Sequence, residues 1–240
     1  MTNFALLNNN EHQALRVITD HSAALGDQVM YAMTYPAEFR DVQCEYPILF
    51  FTDADQGETY PVALFGFQRG ENLFLEGDQW QADYIPASVR RQPFLIGAQG
   101  QGASQTRVIS IDLDHPRVST EQGERLFEPL GGTSPYLERM ANLLEHLHAG
   151  YEHTKDYVAA LQRLELLESI TLEIELEDGS TNQLFGFQSL NEDRLAGLSA
   201  EQLQGLQQNG FLLPTFMAIA STPNMGKLVR RKNRSLGAQD

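Results

Sequence analysis

The sequence is short of cysteine, of tryptophan and of positive charge, and each shortage narrows the class of protein. Its single cysteine, Cys44, cannot form an internal disulfide, which favours a reducing compartment over a disulfide-stapled secreted domain. One cysteine and six scattered histidines also give no structural zinc pattern. The chain has 17 basic against 32 acidic residues, a net charge of −15, which argues against general binding to nucleic acid or to an anionic membrane surface.

Long apolar runs are missing as well. The longest run, at 211–220, is interrupted by Pro214 and is well short of the roughly 20 residues that a membrane-spanning helix needs. The first residues contain neither the basic segment nor the apolar segment of a secretory signal. We therefore expect a protein that spans no membrane and resides in the cytoplasm.

Recognisable catalytic and nucleotide-binding motifs are also missing. The glycines of the segment 97–102 have the wrong order for a dinucleotide fingerprint, and a strand-like segment follows them where a helix is required. No G-x-S-x-G elbow is present, and the acidic neighbours of Cys44 oppose formation of a thiolate. Glu145 and His148 have the E-x-x-H spacing of di-iron bundles, but no second such motif exists. We predict no cofactor and no metal, and assign no catalytic residue.

What the sequence does contain is a succession of short strands. After an irregular start to about residue 46, strands are predicted at 47–52, 61–68, 72–75, 94–96 and 107–113. The clearest hairpin lies further on: apolar residues alternate with polar ones over 170–176, a turn at Asp178-Gly179 follows, and a second strand covers 182–188. Antiparallel pairing is expected throughout.

Helices dominate the second half. Ser134 is a good N-cap and Pro135 a good first residue for a long helix, in which apolar residues recur every three or four positions to Leu161, although Gly150 could bend it. Ser199 and Gln202 form a capping-box pattern, and 212–234 predicts one or two helices, with Thr222-Pro223 as the start of the second. The class is therefore α+β, with one long helix and a helical C-terminal third.

We expect residues 1–240 to form a single compact unit of two pseudo-halves, at about 1–118 and 133–240, joined by a polar connector at 114–133. The peptide LFGFQ occurs twice, at 64–68 and at 184–188. The two copies indicate either an internal repeat, or two unrelated strands in which a glycine permits a bend or a close approach.

The best candidate binding residues are Trp80, Tyr84, Arg90 and Arg91, which combine the single tryptophan with an adjacent arginine pair. Arginine can grip a carboxylate or phosphate group through a bidentate fork, and aromatic rings supply stacking surface. Such a group would suit an acidic peptide terminus or a phosphorylated ligand. The alternative is that the aromatic side chains belong partly to the core and that the arginines pair with nearby acids.

Basic residues are also concentrated near the C-terminus, at Lys227, Arg230, Arg231, Lys232 and Arg234. This basic end could fold back onto the acidic body or contact an acidic partner. Alternatively, its cations simply oppose the dipole of a C-terminal helix.

Several blocks together resemble the SapC family of bacterial proteins. They are PVALFGFQRGENLFL at 61–75, YIPASVRRQPF at 84–94, TSPYLERM at 133–140, and the long segment GFQSLNEDRLAGLSAEQLQGLQQNGFL. The order and spacing of these blocks carry the resemblance, which extends over most of residues 8–232. At 217–225 the sequence MAIASTPNM departs from the histidine and leucine pair expected there.

The resemblance implies an accessory protein that binds a protein partner or an exported polypeptide, assisting surface-layer protein export or serving a modifying enzyme. It establishes no catalytic activity. The alternatives are an enzyme with an unrecognised peptide-modifying or hydrolytic site, and a structural oligomer built on the long helix. The sequence does not predict the oligomeric state.

Overall fold

A computed structural model describes residues 3–99 and 106–237 of the chain. The helices of this part are α1 (Asn9–His12), α2 (Phe39–Glu45), α3 (Ala87–Arg90), α4 (Pro135–Arg163), α5 (Glu192–Ala196), α6 (Ala200–Gln208), α7 (Leu212–Ala220) and α8 (Asn224–Gly237). The strands are β1 (Phe4–Leu6), β2 (Arg16–Val17), β3 (Tyr31–Met33), β4 (Ile48–Thr52), β5 (Thr59–Leu64), β6 (Leu75–Glu76), β7 (Gln79–Trp80), β8 (Phe94–Gln99), β9 (Thr106–Asp112), β10 (Val118–Ser119), β11 (Glu124–Arg125), β12 (Leu167–Glu175) and β13 (Thr181–Leu190). Antiparallel strands combined with a long helix and a helical C-terminal region confirm the α+β class.

The chain divides into two compact units that alternate along the sequence. Unit 1 comprises residues 1–27, 75–80 and 87–149, and unit 2 comprises residues 28–74, 81–86 and 150–240. The last boundary falls within α4, and the predicted connector at 114–133 contributes β10 and β11 to unit 1. The single unit with two pseudo-halves stays a prediction.

Unit 1 contains two antiparallel three-stranded sheets, ordered β1-β9-β8 and β10-β2-β11. Apolar residues of the strands pack against the first half of α4 in one cluster: Val17, Phe94, Ile111, Leu126, Phe127, Tyr136, Leu137 and Leu144. This burial makes the amphipathic stripe of α4 a packing surface, as its three-and-four spacing predicted.

The start of α4 has the predicted capping. Ser134 accepts the backbone N–H of Leu137 through its Oγ at 3.1 Å, and the same hydroxyl donates to the carbonyl of Arg125. Pro135 opens the helix. Gly150 does not break it, and a Cβ atom at Gly150 would lie 3.4 Å from Cδ1 of Tyr35, so this glycine permits a close approach.

Unit 2 is built on a five-stranded antiparallel sheet ordered β12-β13-β4-β5-β3. The hairpin of β12 and β13 confirms the clearest strand prediction, and the acidic residues of β12 lie exposed as expected. Hydrogen bonds hold the C-terminal helices to β4 and to the end of α2: Ser221 Oγ accepts the N–H of Ile48 at 2.8 Å, and Asn224 Nδ2 donates to the carbonyls of Gln43 and Tyr46.

Two further helix predictions are confirmed, and one strand prediction is largely wrong. Ser199 and Gln202 form the capping box at the start of α6, and the break between α7 and α8 falls at residues 221–223. The strand expected at 72–75 is reduced to β6 (Leu75–Glu76), because Asn72 Oδ1 accepts the N–H of Phe74 and turns the backbone before it.

The two LFGFQ segments differ in backbone conformation. In β13 the register slips by one residue between the pairs Ile170↔Phe187 and Leu172↔Leu184, and Gly186 within this bulge has φ +80°. Gly66, in the other copy, follows β5 and avoids the left-handed region, but a Cβ there would lie 2.7 Å from the carbonyl of Glu71. Each glycine is favoured by a different local geometry. This favours two unrelated strands with a bend or a close approach over an internal repeat.

None of the helices in the described ranges is long and apolar enough to cross a membrane.

Candidate functional site

Trp80 lies in unit 1, in the short hairpin of β6 and β7, where it is the register partner of Leu75. Its ring is half-buried and meets the imidazole of His21 edge-on, with 5.6 Å between the ring centroids. The single tryptophan is therefore packed on one side against a titratable side chain.

Arg90 ends α3 and Arg91 directly follows it, both in unit 1. Arg90 is exposed, whereas Arg91 is half-buried and donates through Nη1 to the carbonyl of Phe94 at 2.7 Å. One arginine of the predicted pair thus stabilises its own turn, and the other presents its side chain at the surface.

Tyr84 belongs to unit 2, where its hydroxyl donates to Glu38 Oε2 at 2.6 Å and its carbonyl accepts the hydroxyl of Tyr46 at 2.5 Å. These bonds fit the alternative in which the tyrosine is partly a structural residue. A site made by Trp80, Tyr84, Arg90 and Arg91 acting together stays a prediction.

A buried ion pair supports the loop that carries His21. Arg117 and Asp27 are 3% and 1% exposed, and Nη2 of the arginine lies 2.7 Å from each carboxylate oxygen. Burial raises the pKa of Asp27, but the hydrogen bond with His21 and the charge of Arg117 outweigh it and hold the pKa below its ordinary value. Arg117 also donates to the carbonyls of Ile18 and Asp20, which makes the pair a structural clamp on residues 18–27.

The basic end of the chain is used largely within unit 2. Lys232 Nζ lies 2.6 Å from Glu71 Oε1, and both side chains are mostly buried. Arg231 lies 4.4 Å above the ring of Phe74 and donates to the carbonyl of Gln81. This agrees with the interpretation that the basic end folds back onto the acidic body.

Unit 2 contains an open groove of about 920 Å³, here called the aromatic groove. It lies between β13 and the segments 28–31 and 67–70. Its floor is a triangle of rings: Tyr31 to Phe51 is 5.1 Å, Tyr31 to Phe187 is 5.8 Å and Phe51 to Phe187 is 5.2 Å between centroids. Three mutually packed rings form a preorganised apolar surface.

The β-bulge in β13 creates one wall of the groove. Because the extra residue interrupts the alternation of the strand, Phe185 stands 64% exposed beside the buried Phe187. Gly186 lies against the floor, where a Cβ would be 3.3 Å from Cε2 of Phe51. Both its positive φ and this contact favour glycine.

The rim of the groove is polar and carries a positive charge. Arg69 is the charged residue among those lining the groove, is exposed, and makes no hydrogen bond or ion pair with any residue in the described ranges. The other polar rim residues are amides, at Gln28, Gln68 and Gln183. Burial and the neighbouring Tyr31 raise the pKa of Tyr60, which packs beside Phe51, to about 12.

Glu145, which has the E-x-x-H spacing of a metal ligand, makes an ion pair instead. Glu145 Oε2 lies 3.5 Å from Nη1 of Arg107, in an exposed ion pair. Across residues 3–99 and 106–237, no three histidine, cysteine, aspartate or glutamate side chains are grouped to hold a metal ion.

The fold is α+β, and unit 2 presents an open groove lined by aromatic side chains. A family model described as SapC matches residues 7–228 of the 240-residue chain. The chain belongs to the SapC family, as its sequence blocks predicted. No curated protein and no solved structure matches it.

Sequence reasoning missed the aromatic groove, although one signal for it was present. The second LFGFQ segment contains Phe185, Gly186 and Phe187, and its glycine marked a bend or a close approach. The partners of these residues come from distant segments, at residues 28–31, 51 and 67–70, which no local pattern connects to β13.

Proposed function

We propose that this SapC-family chain is a cytoplasmic accessory protein that binds an extended, largely apolar polypeptide segment in the aromatic groove. The segment belongs to a protein partner or to an exported chain, such as a bacterial surface-layer protein. The observation that carries the proposal is the triangle of Tyr31, Phe51 and Phe187, with the exposed Phe185 beside it. Phe187 is buried and Tyr31 and Phe51 are half-buried, so Phe185 contributes most of the exposed apolar surface, and exposed apolar surface is typical of interaction sites.

The chemistry of the rim defines the occupant more closely. Aromatic rings accept apolar side chains, and the glutamine amides at the rim can both donate to and accept from peptide groups. Arg69 can form a bidentate pair with a carboxylate. We therefore expect a segment that combines apolar side chains with a carboxylate, either a chain terminus or an acidic side chain.

Binding suits the groove better than catalysis does. The described residues that line it include no serine, cysteine, histidine or carboxylate side chain, so the hydroxyl of Tyr31 has no general base beside it in the lining. The alternative of a peptide-modifying or hydrolytic enzyme requires such groups to converge in a pocket. An accessory role, which the SapC resemblance implies, requires only that the groove bind the polypeptide segment.

The residues singled out in the sequence remain part of the proposal as a second contact region for the partner. Arg90 is exposed, and Trp80 keeps part of its ring accessible. Loss of partner binding in an Arg90→Ala/Arg91→Ala variant that stays folded would support this role. Unchanged affinity would remove Arg90 and Arg91 from the binding surface.

The test of the groove is a titration with a defined peptide panel, followed by calorimetry or fluorescence anisotropy. The panel contains aromatic-rich peptides with a free terminal carboxylate and the same peptides with an amidated terminus. Phe185→Ser should weaken binding at least tenfold, and Arg69→Gln should reduce the affinity of the carboxylate peptides to that of the amides.

Matched controls lie on the same unit but away from the groove. Phe216, on α7, is 51% exposed, and Phe216→Ser changes a similarly exposed ring. Arg234→Gln removes an exposed charge near the C-terminus. The proposal is wrong if no peptide of the panel binds, or if the groove variants and the control variants bind equally.

A further inference from the structure

Three arginines line one pocket at the start of α4 in unit 1, in a protein with a net charge of −15. The pocket has a volume of about 380 Å³, and the arginines are Arg16 on β2, Arg125 on β11 and Arg139 on α4. We propose that this arginine pocket binds a phosphate group. The proposal is independent of the aromatic groove, which belongs to unit 2.

The strand register forces two of the arginines together. Arg16 and Arg125 are direct partners in the antiparallel pair of β2 and β11. Side chains at directly opposite positions share a face of the sheet, with their Cβ atoms about 5 Å apart, and like charges at such positions are destabilising. This arrangement has an unfavourable electrostatic energy that a bound anion would relieve.

Acidic side chains of the described residues do not neutralise these arginines. None of the three makes an ion pair within 4.0 Å, although Glu124 and Glu128 also border the pocket. Arg16 Nη1 donates to the carbonyl of Gly123 at 2.8 Å, and the Arg139 guanidinium lies 6.0 Å from the centre of the Tyr136 ring. Three guanidinium groups and two carboxylates leave the pocket with a net positive charge.

The first turn of α4 adds a backbone donor. Pro135 has no N–H, the N–H of Leu137 is capped by Ser134 Oγ, and the N–H of Glu138 bonds to the carbonyl of Ser134. The N–H of Tyr136 is therefore the first-turn amide without a backbone or side-chain acceptor among the described residues. It lies at the positive end of a 29-residue helix, where negative charge is favoured.

The number and spread of the donors favour phosphate over carboxylate. One arginine fork satisfies both oxygens of a carboxylate, whereas guanidinium groups from three separate elements, one of which also donates to Gly123, match a tetrahedral group with three or more acceptor oxygens. The ligand is therefore inorganic phosphate or a phosphate monoester. Both carry the tetrahedral phosphate group that the pocket would bind, and measurements of relative affinity distinguish them.

The experiment measures binding to the full-length protein by calorimetry, with inorganic phosphate, phenyl phosphate and acetate as probes at matched ionic strength. Phosphate should bind, and acetate should bind at least tenfold more weakly. Tighter binding of phenyl phosphate would identify a monoester as the ligand, and tighter binding of inorganic phosphate would identify the free anion.

Variants connect the binding to the pocket. Arg16→Gln and Arg139→Gln should each reduce phosphate affinity at least tenfold, whereas Arg40→Gln, which removes an exposed arginine of unit 2, should leave it unchanged. A thermal unfolding curve for each variant shows that it is folded. The proposal is overturned if phosphate binds no better than acetate, or if Arg139→Gln, a substitution of an exposed residue, leaves the affinity intact.

Discussion

Replacing Gly186 by alanine tests the β-bulge that shapes the aromatic groove. The substitution has two separable effects: the residue must keep φ +80°, and the new Cβ must lie 3.3 Å from Cε2 of Phe51. The first effect strains the backbone, and the second displaces a ring of the groove floor. Gly179, in the turn between β12 and β13, provides the control, because it has φ +81° but a Cβ added there would have no atom of the described residues within 4 Å beyond its chain neighbours.

The magnitudes follow from these two effects. A left-handed conformation costs an alanine about 1–2 kcal/mol, and the smaller conformational freedom of the unfolded chain returns about 0.4–1 kcal/mol. Gly179→Ala should therefore destabilise the protein by about 1 kcal/mol. Gly186→Ala adds the overlap with Phe51, at about 1 kcal/mol or more for overpacking in a well-packed site, so its total should reach about 2–3 kcal/mol.

The assay is equilibrium unfolding in urea for both variants, followed by titration with the groove peptides. Gly186→Ala should lose peptide affinity because the floor ring moves, whereas Gly179→Ala should bind normally. Equal destabilisation of the two variants would refute the packing argument. Unchanged peptide affinity in Gly186→Ala would show that the bulge does not shape the groove.

Two further predictions concern buried charges. Because the pKa of Asp27 is lower in the folded protein, its contribution to stability is present above the unfolded-state pKa of about 3.9 and is lost as the pH falls through the folded-state value. Asp27→Asn should therefore lower the free energy of unfolding at pH 7. The variant should also lose less of that free energy than the wild type on acidification, as measured by urea unfolding between pH 7 and pH 3. Lys232→Met leaves the mostly buried carboxylate of Glu71 without its 2.6 Å partner, and should cost about 2 kcal/mol or more. The double variant with Glu71→Gln should lose less than the two single changes combined, and an additive result would show that the pair is not coupled.

Local patterns were sufficient for much of the fold. The alternation at 170–176, the glycine turn after it, and the capping residues Ser134 and Ser199 each specify backbone conformation within a few residues. The structure places the hairpin and both helix starts where these signals predicted. Such signals act over one turn or one strand pair, so they can be recognised in a sequence before any tertiary contact is known.

The short strands of the first 46 residues were missed because their stability comes from long-range pairing. β1 pairs with β9, β2 with β10 and β11, and β3 with β5, while β2 has only two residues. Segments this short contain no readable period of their own. The arginine pocket was missed for the same reason, since Arg16 and Arg125 become neighbours only through this register.

The placement of basic residues, rather than their number, distinguishes the structural cations of this acidic chain from the arginines that we propose bind a ligand. Arg117 and Lys232 lie buried against carboxylates. Removing either member of such a pair would leave an unpaired buried charge, so the role of these two residues is structural. Arg69 and Arg139 are exposed, border concave surfaces and have no carboxylate partner among the described residues, in a chain with 32 acidic side chains. Exposed arginines such as Arg40 and Arg234 also lack an ion pair among the described residues, so it is the position of Arg69 and Arg139 beside a concave surface that distinguishes them. The salt dependence of binding provides a direct check. Raising the ionic strength should weaken carboxylate-peptide binding at Arg69 and phosphate binding at Arg139, because salt screens exposed charges. The free energy of unfolding should fall less, because the buried ion pairs are screened much less.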